Sequence, residues 1–570
     1  MKNRIIILCT VYLLMFTAYS FSQEYRNSGF SKPMNLAFNL AGSFGEPRPD
    51  HFHSGIDIKT NGVEGEPVFA VYDGYISRIR VSPYGYGRAI YITHPNGFTT
   101  VYGHLSRFYG AIEKYIDAQH YALKKSELDL TLNANVFPLK QNDTIAFSGN
   151  TGGSDAPHLH FEVRNTKTEH ALNPLDFYPK NFYIDTIPPR INKVKFYQFS
   201  KDYFYSSFIK PYYNLSAKES WSFEHIDIND YYAFSLEGYD KQDSSENKNG
   251  IKKIEVYQNK NLVFKYDLTE IDFDKTRMCN AFVDYDEMIN DNGYFYNCYQ
   301  LKNNSLAIYQ PGSNGFFSNK ETDSINVYDI YCYDYNDNKT KITLEIPKGT
   351  SIVDWEIRNQ KKDSIFVNKR FQTNKPDSIS LSGFKTLFPE NTFYDDVYLR
   401  LSKRFLKEYV PVYNINADYN NIPLQKPAKI EFKSSIKKNR NKIVVVRQNH
   451  KGKETALKTT FDKTKFYTET KELGTFYLKY DTIKPIVEIS NPISQIPYSS
   501  IQVKITDNLS GIDTYNGYID NRWVNFYYDA KNDLIEYKFD EYCSKGEHLL
   551  KIIVTDKVGN KTSIEQKIIY

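Results

Sequence analysis

Cysteine is scarce: the 570 residues hold five, and Cys9 is the only one before Cys279. A thiolate-built metal site or a dense disulfide frame is therefore excluded from the N-terminal part, and any metal there must be held by other residues. The remaining four, Cys279, Cys298, Cys332 and Cys543, allow three pairings, among which the sequence does not choose. A Cys279 to Cys298 bridge and buried free thiols both stay open. Charge of one sign is lacking too. Lys and Arg number 72 against 68 Asp and Glu, a formal balance of +4. That excludes a nucleic-acid or anionic-membrane partner unless charge is locally concentrated. The densest basic run, residues 437–442, reads as a solvated hairpin turn. Long apolar runs are also missing, since the best, residues 5–16, falls short of the ~20 residues that span a bilayer. Preceded by Lys2 and Arg4 and followed by Ser20 and Ser22, it fits a signal peptide over residues 1–22, cut before Gln23. The expected protein is exported, to the periplasm, the cell envelope or the medium, without stable membrane insertion.

Tyr and Phe are abundant, at 49 and 38 residues, and such strand-favouring composition points to a mainly β protein. The length calls for three or four domains. Residues 23–180 alternate short strands with glycine-rich turns. Within them, 89–93 and 98–102 read as a hairpin joined through Pro95, Asn96 and Gly97. Residues 109–132 are more helical and look inserted.

Beyond residue 180 the chain echoes itself. Residues 183–188 read YIDTIP and 479–485 read KYDTIKP; Asp240 precedes Gly250 and Ile251 as Asp507 precedes Gly511 and Ile512; Asp334 and Asn338 match Asp556 and Asn560. Two related β-sandwich (Ig-like) domains are expected, at 181–347 and 481–570, with a third β-rich domain at 348–480 between them. The Asp and Asn residues of these echoes could hold calcium, but turn hydrogen bonding is the simpler reading.

Eight of the eleven histidines precede residue 171, and three short segments concentrate them. In HFHSGID, His53 and Asp57 can converge on one ion if the chain turns at Gly55. In HLHFEV, His158 and His160 alternate with apolar residues, so both imidazoles face one side of a strand. The glycine-rich approach over residues 149–153 suggests a shaped loop beside them. In YGHL, His104 ends the second hairpin strand, where its ring can be aimed across a groove. Two neutral imidazoles and one carboxylate would leave zinc a net charge near +1 and an open position, which suits hydrolysis.

Taken together, HFHSGID, YGHLS and PHLHFEV resemble the signatures of the lysostaphin-type, LytM-like zinc metallopeptidases that cleave peptidoglycan peptides. The likeness covers residues 40–178 and implies a compact antiparallel β domain with a narrow groove. By that resemblance His53, Asp57 and His160 take the metal-ligand positions for one zinc ion. His104 and His158 take those of the two catalytic histidines, with His158 as general base and His104 assisting the oxyanion or the leaving amine. Glu162 could orient a ligand or simply pack. Arg48 and His51 could line the groove. Asp155 and Ala156 depart from the family's usual loop, and the 109–132 insertion is expected to extend a groove wall.

The resulting expectation is an exported zinc metalloendopeptidase acting on peptidoglycan stems and cross-links. Other envelope proteins could bind its C-terminal β domains. The alternative is a non-enzymatic envelope protein, either a regulator of other wall hydrolases or a scaffold, using the same domain for binding.

Overall fold

The computed structural model describes residues 28–199, 213–214, 220–222, 231–243, 245–290, 293–310, 314–318, 325–346, 365–405, 410–417, 421–490 and 500–570. The signal-peptide segment lies outside them. Strands dominate throughout, and among the described residues no helix is long and apolar enough to cross a membrane.

Seven strands form the main path of the ten-stranded antiparallel sheet that carries the histidines: β1 (Leu40–Gly42), β2 (Ile56–Lys59), β3 (Gly74–Val81), β4 (Arg88–Thr93), β5 (Phe98–Gly103), β6 (Leu128–Thr131) and β7 (His158–Asn165). Their order is β1-β2-β7-β5-β4-β3-β6. The expected hairpin is β4–β5, with Thr93 opposite Thr99. A three-stranded sheet of Pro67–Phe69, Thr144–Phe147 and Arg107–Phe108 lies beside it. Residues 109–132 divide into a helix, α1 (Ala111–Leu123), and β6, which joins the main sheet along β3. Ile112, Ile116 and His120 are α1's buried positions, spaced four residues apart on one face.

Central position explains β7's composition. It is bonded on both sides, to β2 and β5, so its residues between the ends are all buried. The two histidines occupy a register fixed by both neighbours: His160 stands opposite Asp57 on one side and Gly103 on the other.

Three further β-rich regions follow. Two five-stranded sheets built largely from residues 190–346 form the first, six- and five-stranded sheets the second, and two four-stranded sheets the last. The first shares its core with the histidine-bearing domain. Ala171–Leu172 pairs both with β7 and with Glu270–Ile271. The rings of Phe52 and Phe282 lie 5.3 Å apart, and one cluster of buried side chains takes in residues of both regions, from Phe30 to Ile346, together with Tyr394. Cys279, Cys298, Cys332 and Cys543 are free, buried thiols. The basic run is solvated as expected, with Lys437, Lys438, Asn439 and Asn441 exposed, but it is no hairpin turn: it links strands of two different sheets, while Arg440 packs 4.3 Å from the Phe466 ring and Lys442 donates to the Val558 carbonyl.

Candidate metal centre and peptidase site

All three expected ligands meet. His53 Nε2, Asp57 Oδ1 and His160 Nδ1 form a triangle with edges of 3.0, 3.0 and 2.9 Å, and all three residues are buried. The outward-facing ring nitrogens decide what the triangle can hold. His53 Nδ1 donates to the Ser43 carbonyl at 2.7 Å, which leaves Nε2 as a lone pair. His160 Nε2 donates to Glu162 Oε1 at 2.8 Å, which aims the Nδ1 lone pair inward. The Asp57 carboxylate adds a third acceptor. Three acceptors at hydrogen-bond separation require a cation among them, either a proton or a metal ion.

Electrostatics gives the same answer. Burial, reinforced by the Arg48 charge, lowers the His53 pKa to about 4, so this ring is neutral at physiological pH. Burial works against the Asp57 charge, yet His53 and the hydrogen bonds from the histidines hold the carboxyl well below its usual range. His160 goes the other way. Burial alone would depress it, but Asp57 and Glu162 outweigh burial and push it up to about 9. The centre thus demands positive charge, and without a metal a proton on His160 supplies it.

Arg48 fixes the carboxylate. Its Nη2 donates to Asp57 Oδ2 at 2.6 Å, leaving Oδ1 to face the two imidazoles. Gly42 makes room for this pair, because a Cβ there would fall 2.5 Å from Arg48 Nη2 and 2.7 Å from Asp57 Oδ2. Gly55 is equally confined, its Cβ direction ending 2.3 Å from the Phe161 carbonyl oxygen. It therefore serves close packing of the HSGID segment on β7, and its φ is not left-handed.

Glu162 is fully buried and holds His160 in place. Its Oε1 accepts from His160, Ser54 Oγ and Tyr86 Oη, and its Oε2 accepts from Arg164 Nε at 2.6 Å. Tyr86 also stacks on the His160 ring, with centroids 5.0 Å apart.

His104 and His158 flank the triangle. Their ring centroids are 4.8 Å apart, and His104 is 5.8 Å from His160. His104 has a left-handed backbone, φ 58°, a strained state for a side chain with a Cβ and one that clusters at functional sites. Its Nδ1 donates to the Thr151 carbonyl at 2.8 Å, and His158 Nδ1 donates to the Ala156 carbonyl at 2.8 Å. Each ring therefore keeps Nε2 as its lone-pair nitrogen. That of His158 is buried without a hydrogen-bond partner, 3.4 Å from Asp57 Oδ1. Burial and the neighbouring His160 and His158 depress His104 to about 3.

The glycine-rich loop and its continuation to residue 156 supply these carbonyls. Gly149 packs so closely on residues 104–106 that a Cβ would meet the Ser106 amide at 2.4 Å, and Gly153 donates to the Gly85 carbonyl at 2.8 Å. Asp155 and Ala156 are exposed on its outer side. The insertion's helix faces elsewhere: Tyr121 stacks on Tyr542 at 3.6 Å and donates to Asp540 of the last sandwich. That same sandwich reaches the loop, where Lys531 Nζ donates to the carbonyls of Asn150 and Ser154 at 2.5 and 2.7 Å. His51 is exposed and donates to the Pro49 carbonyl, outside the triangle.

An antiparallel sheet with a His-Asp-His triangle and two further histidines beside it defines a metallopeptidase-like domain. Residues 51–120 match the model of peptidase family M23, and the N-terminal region is an M23, LytM-like domain. Residues 368–481 match a Zu5-like domain. A DD-carboxypeptidase/endopeptidase of Neisseria meningitidis, Mpg, is 36% identical over 112 residues, 20% of this chain and 20% of that protein. The peptidoglycan DD-endopeptidase ShyB of Vibrio cholerae is 29% identical over 136 residues, 23% of this chain and 26% of that protein. The catalytic domain of lysostaphin from Staphylococcus simulans is 25% identical, covering 24% of this chain and 87% of that structure, with a TM-score of 0.18. The chain thus spans only about a fifth to a quarter of the curated relatives it matches.

Sequence reasoning placed the five principal side chains but missed Tyr86, Ser54 and Arg164. It also gave Arg48 no part in fixing Asp57. The one available signal was the β7 run, in which Glu162 and Arg164 alternate on the same strand face as His160.

Proposed function

We propose that this chain is an exported zinc metalloendopeptidase that hydrolyses peptide cross-links of bacterial peptidoglycan. The reading is carried by one observation: the inward nitrogens of His53 and His160 and the Asp57 oxygen converge to within 3.0 Å of one another, an arrangement that calls for a shared cation. Two nitrogens and one carboxylate oxygen suit zinc, and three protein ligands leave a position open for chemistry. The M23 match and the two relatives named above, both endopeptidases, support the substrate class. The apolar N-terminal run supports export.

His53, Asp57 and His160 would hold the ion, which when bound lowers the pKa of water and polarises a carbonyl. The chain's own groups then handle protons. His158 presents an unpartnered Nε2 and is the general base for the attacking water; the same ring returns the proton to the leaving amine. His104 is too strongly held neutral to serve as a cationic donor. Its Nε2 accepts the other proton of the water and so orients it. This assigns His104 a positioning role in place of the oxyanion role that the resemblance suggests.

The binding-only alternative gains nothing from the site, because every ligand position is filled. The test uses the full chain on defined cross-linked muropeptides, with fragments identified by mass spectrometry. Cleavage that is abolished by a chelator and restored by zinc is the expected result. Absence of cleavage by zinc-loaded protein with an intact fold would overturn the reading.

A further inference from the structure

The echoed aspartates of the first and last sandwiches converge in space. Asp185, Asp240 and Asp334 each bring a carboxylate oxygen within 4.8 Å of the others, and Asp481, Asp507 and Asp556 do the same. The sets correspond in order: the DTIP or DTIKP segment, the aspartate before Gly-Ile, and the Asp-x-x-x-Asn turn.

Turn hydrogen bonding occupies both oxygens of the last member of each set. Asp334 Oδ1 accepts from the amides of Asn336 and Asn338, and Oδ2 from the Asn338 side chain. Asp556 does the same with Val558 and Asn560. Of the others, Asp185 accepts from the Ile187 amide and the Tyr183 hydroxyl, Asp481 Oδ2 from the Ser510 amide and Asp507 Oδ2 from the Leu509 and Gly511 amides, and the rest of their oxygens are left wanting. Asp240 is 1% exposed, and neither of its oxygens has a hydrogen-bond partner. Asn249, backbone-paired opposite Asp240, is 2% exposed with its side-chain oxygen and nitrogen both unpartnered. The last sandwich repeats the pattern. Asp481, at 1% exposure, and Asp507 each leave Oδ1 unpartnered, and Ser510, which occupies the place of Asn249 before Gly-Ile, leaves Oγ unpartnered.

Buried carboxylates without partners are costly unless a cation joins them. Among the described residues, no Lys or Arg forms an ion pair with any of the six. Burial first, then the charges of Asp185 and Asp334, push the Asp240 pKa up to about 8; the nearby Lys241 amide offsets only the smallest part. Burial likewise lifts Asp185 to about 6. Oxygens sharing one calcium ion at roughly 2.3 to 2.6 Å can stand up to about 5 Å apart, which the observed spread satisfies.

We infer that each cluster is a calcium site: Asp185, Asp240 and Asp334 bind one ion, and Asp481, Asp507 and Asp556 bind a second, with Asn249 and Ser510 as adjacent neutral oxygens. Hard, all-oxygen donor sets of this charge select calcium over zinc. The first aspartate of each set lies on the segment leading into its sandwich, so the ion ties that segment to two loops of the sandwich it enters. This inference is independent of the peptidase activity.

The test takes the full chain, freed of metal by a chelator, through equilibrium dialysis against calcium and thermal melting with calcium or magnesium. Two calcium ions per chain are expected, one in Asp240→Asn or Asp507→Asn, and none in the double variant. Calcium should raise the melting temperature of the wild type more than magnesium does. In chelator, Asp240→Asn should be at least as stable as the wild type, because a neutral amide replaces a carboxylate repelled by two others. No calcium uptake at millimolar concentration, or uptake unchanged in both single variants, would overturn the inference. Should Asp240→Asn fail to fold, the wild-type stoichiometry and Asp507→Asn decide the matter.

Discussion

Glu162 Oε1 accepts from Nε2 of His160 at 2.8 Å, and this contact fixes which nitrogen of the ligand ring faces the metal position. Because Glu162 is fully buried and also pairs with Arg164, it couples the metal centre to the stability of the sheet.

Replacing Glu162 with Gln should therefore act twice. Loss of the carboxylate makes His160 a weaker ligand, and zinc affinity should fall ~10- to 100-fold, as for other residues that orient a ligand. Arg164 is left buried beside a neutral group, which costs on the order of 3 kcal/mol of folding free energy. Competition with a chromophoric chelator reads the first effect and urea unfolding the second.

The two confined glycines should separate function from fold. In Gly42→Ala the nearest obstacle is the far end of the Arg48 side chain, which can swing away. Stability should change by less than about 1 kcal/mol, while zinc binding weakens as Asp57 loses its clamp. In Gly55→Ala the obstacle is the Phe161 backbone carbonyl, which cannot move without parting β2 from β7. A loss of about 3 kcal/mol or more is expected in denaturant melts.

His158→Ala should lower kcat by ~10²- to 10⁴-fold with zinc content unchanged, the usual reach of a lost general base. His104→Ala should cost less, because the ring orients rather than transfers. The acidic limb of the pH profile of kcat should survive in His104→Ala and vanish in His158→Ala. The reverse pattern would exchange the two roles.

Without metal, the domain should be most stable near pH 6.5 as far as these rings decide it. Below that pH the unfolded chain protonates His53 while the folded one resists down to about 4, so stability is lost as pH falls. His160, raised to about 9, contributes stability that is complete below 6.5 and lost as pH rises through 9. Each limb amounts to roughly 3 kcal/mol, at 1.36 kcal/mol per pKa unit. Zinc displaces the His160 proton, so it should abolish the alkaline limb and release about one proton at pH 7. Melts across pH and calorimetry in buffers of differing ionisation enthalpy test both.

The ligands were legible because each lies in a short stretch whose residue types carry the chemistry. Strand alternation alone set His158 and His160 on one face. What steers these rings was not legible. His53, His104 and His158 are oriented by the carbonyls of Ser43, Thr151 and Ala156, and a backbone carbonyl has no residue type to announce it. Glu162 was visible, yet its weight came from Tyr86, Ser54 and Arg164, brought in by separate segments. In the C-terminal regions, the echo located the recurring aspartates. Whether they were satisfied required knowing which oxygens had partners. The strand pairing of Ala171–Leu172 with Glu270–Ile271 joins segments too far apart in sequence for any local pattern to reveal.

Tyr121 on Tyr542 and Lys531 on the carbonyls of Asn150 and Ser154 tie the two ends of the described chain together. Shortening the protein from its C-terminus is therefore not a neutral trimming. It would uncover an aromatic ring on α1 and strip a cationic bracket from the loop that leads into His158. A cut near residue 180 would go further and split a single core, baring Phe52. The shortest fragment that keeps the histidine site with all its present supports is longer than the segment that matches M23.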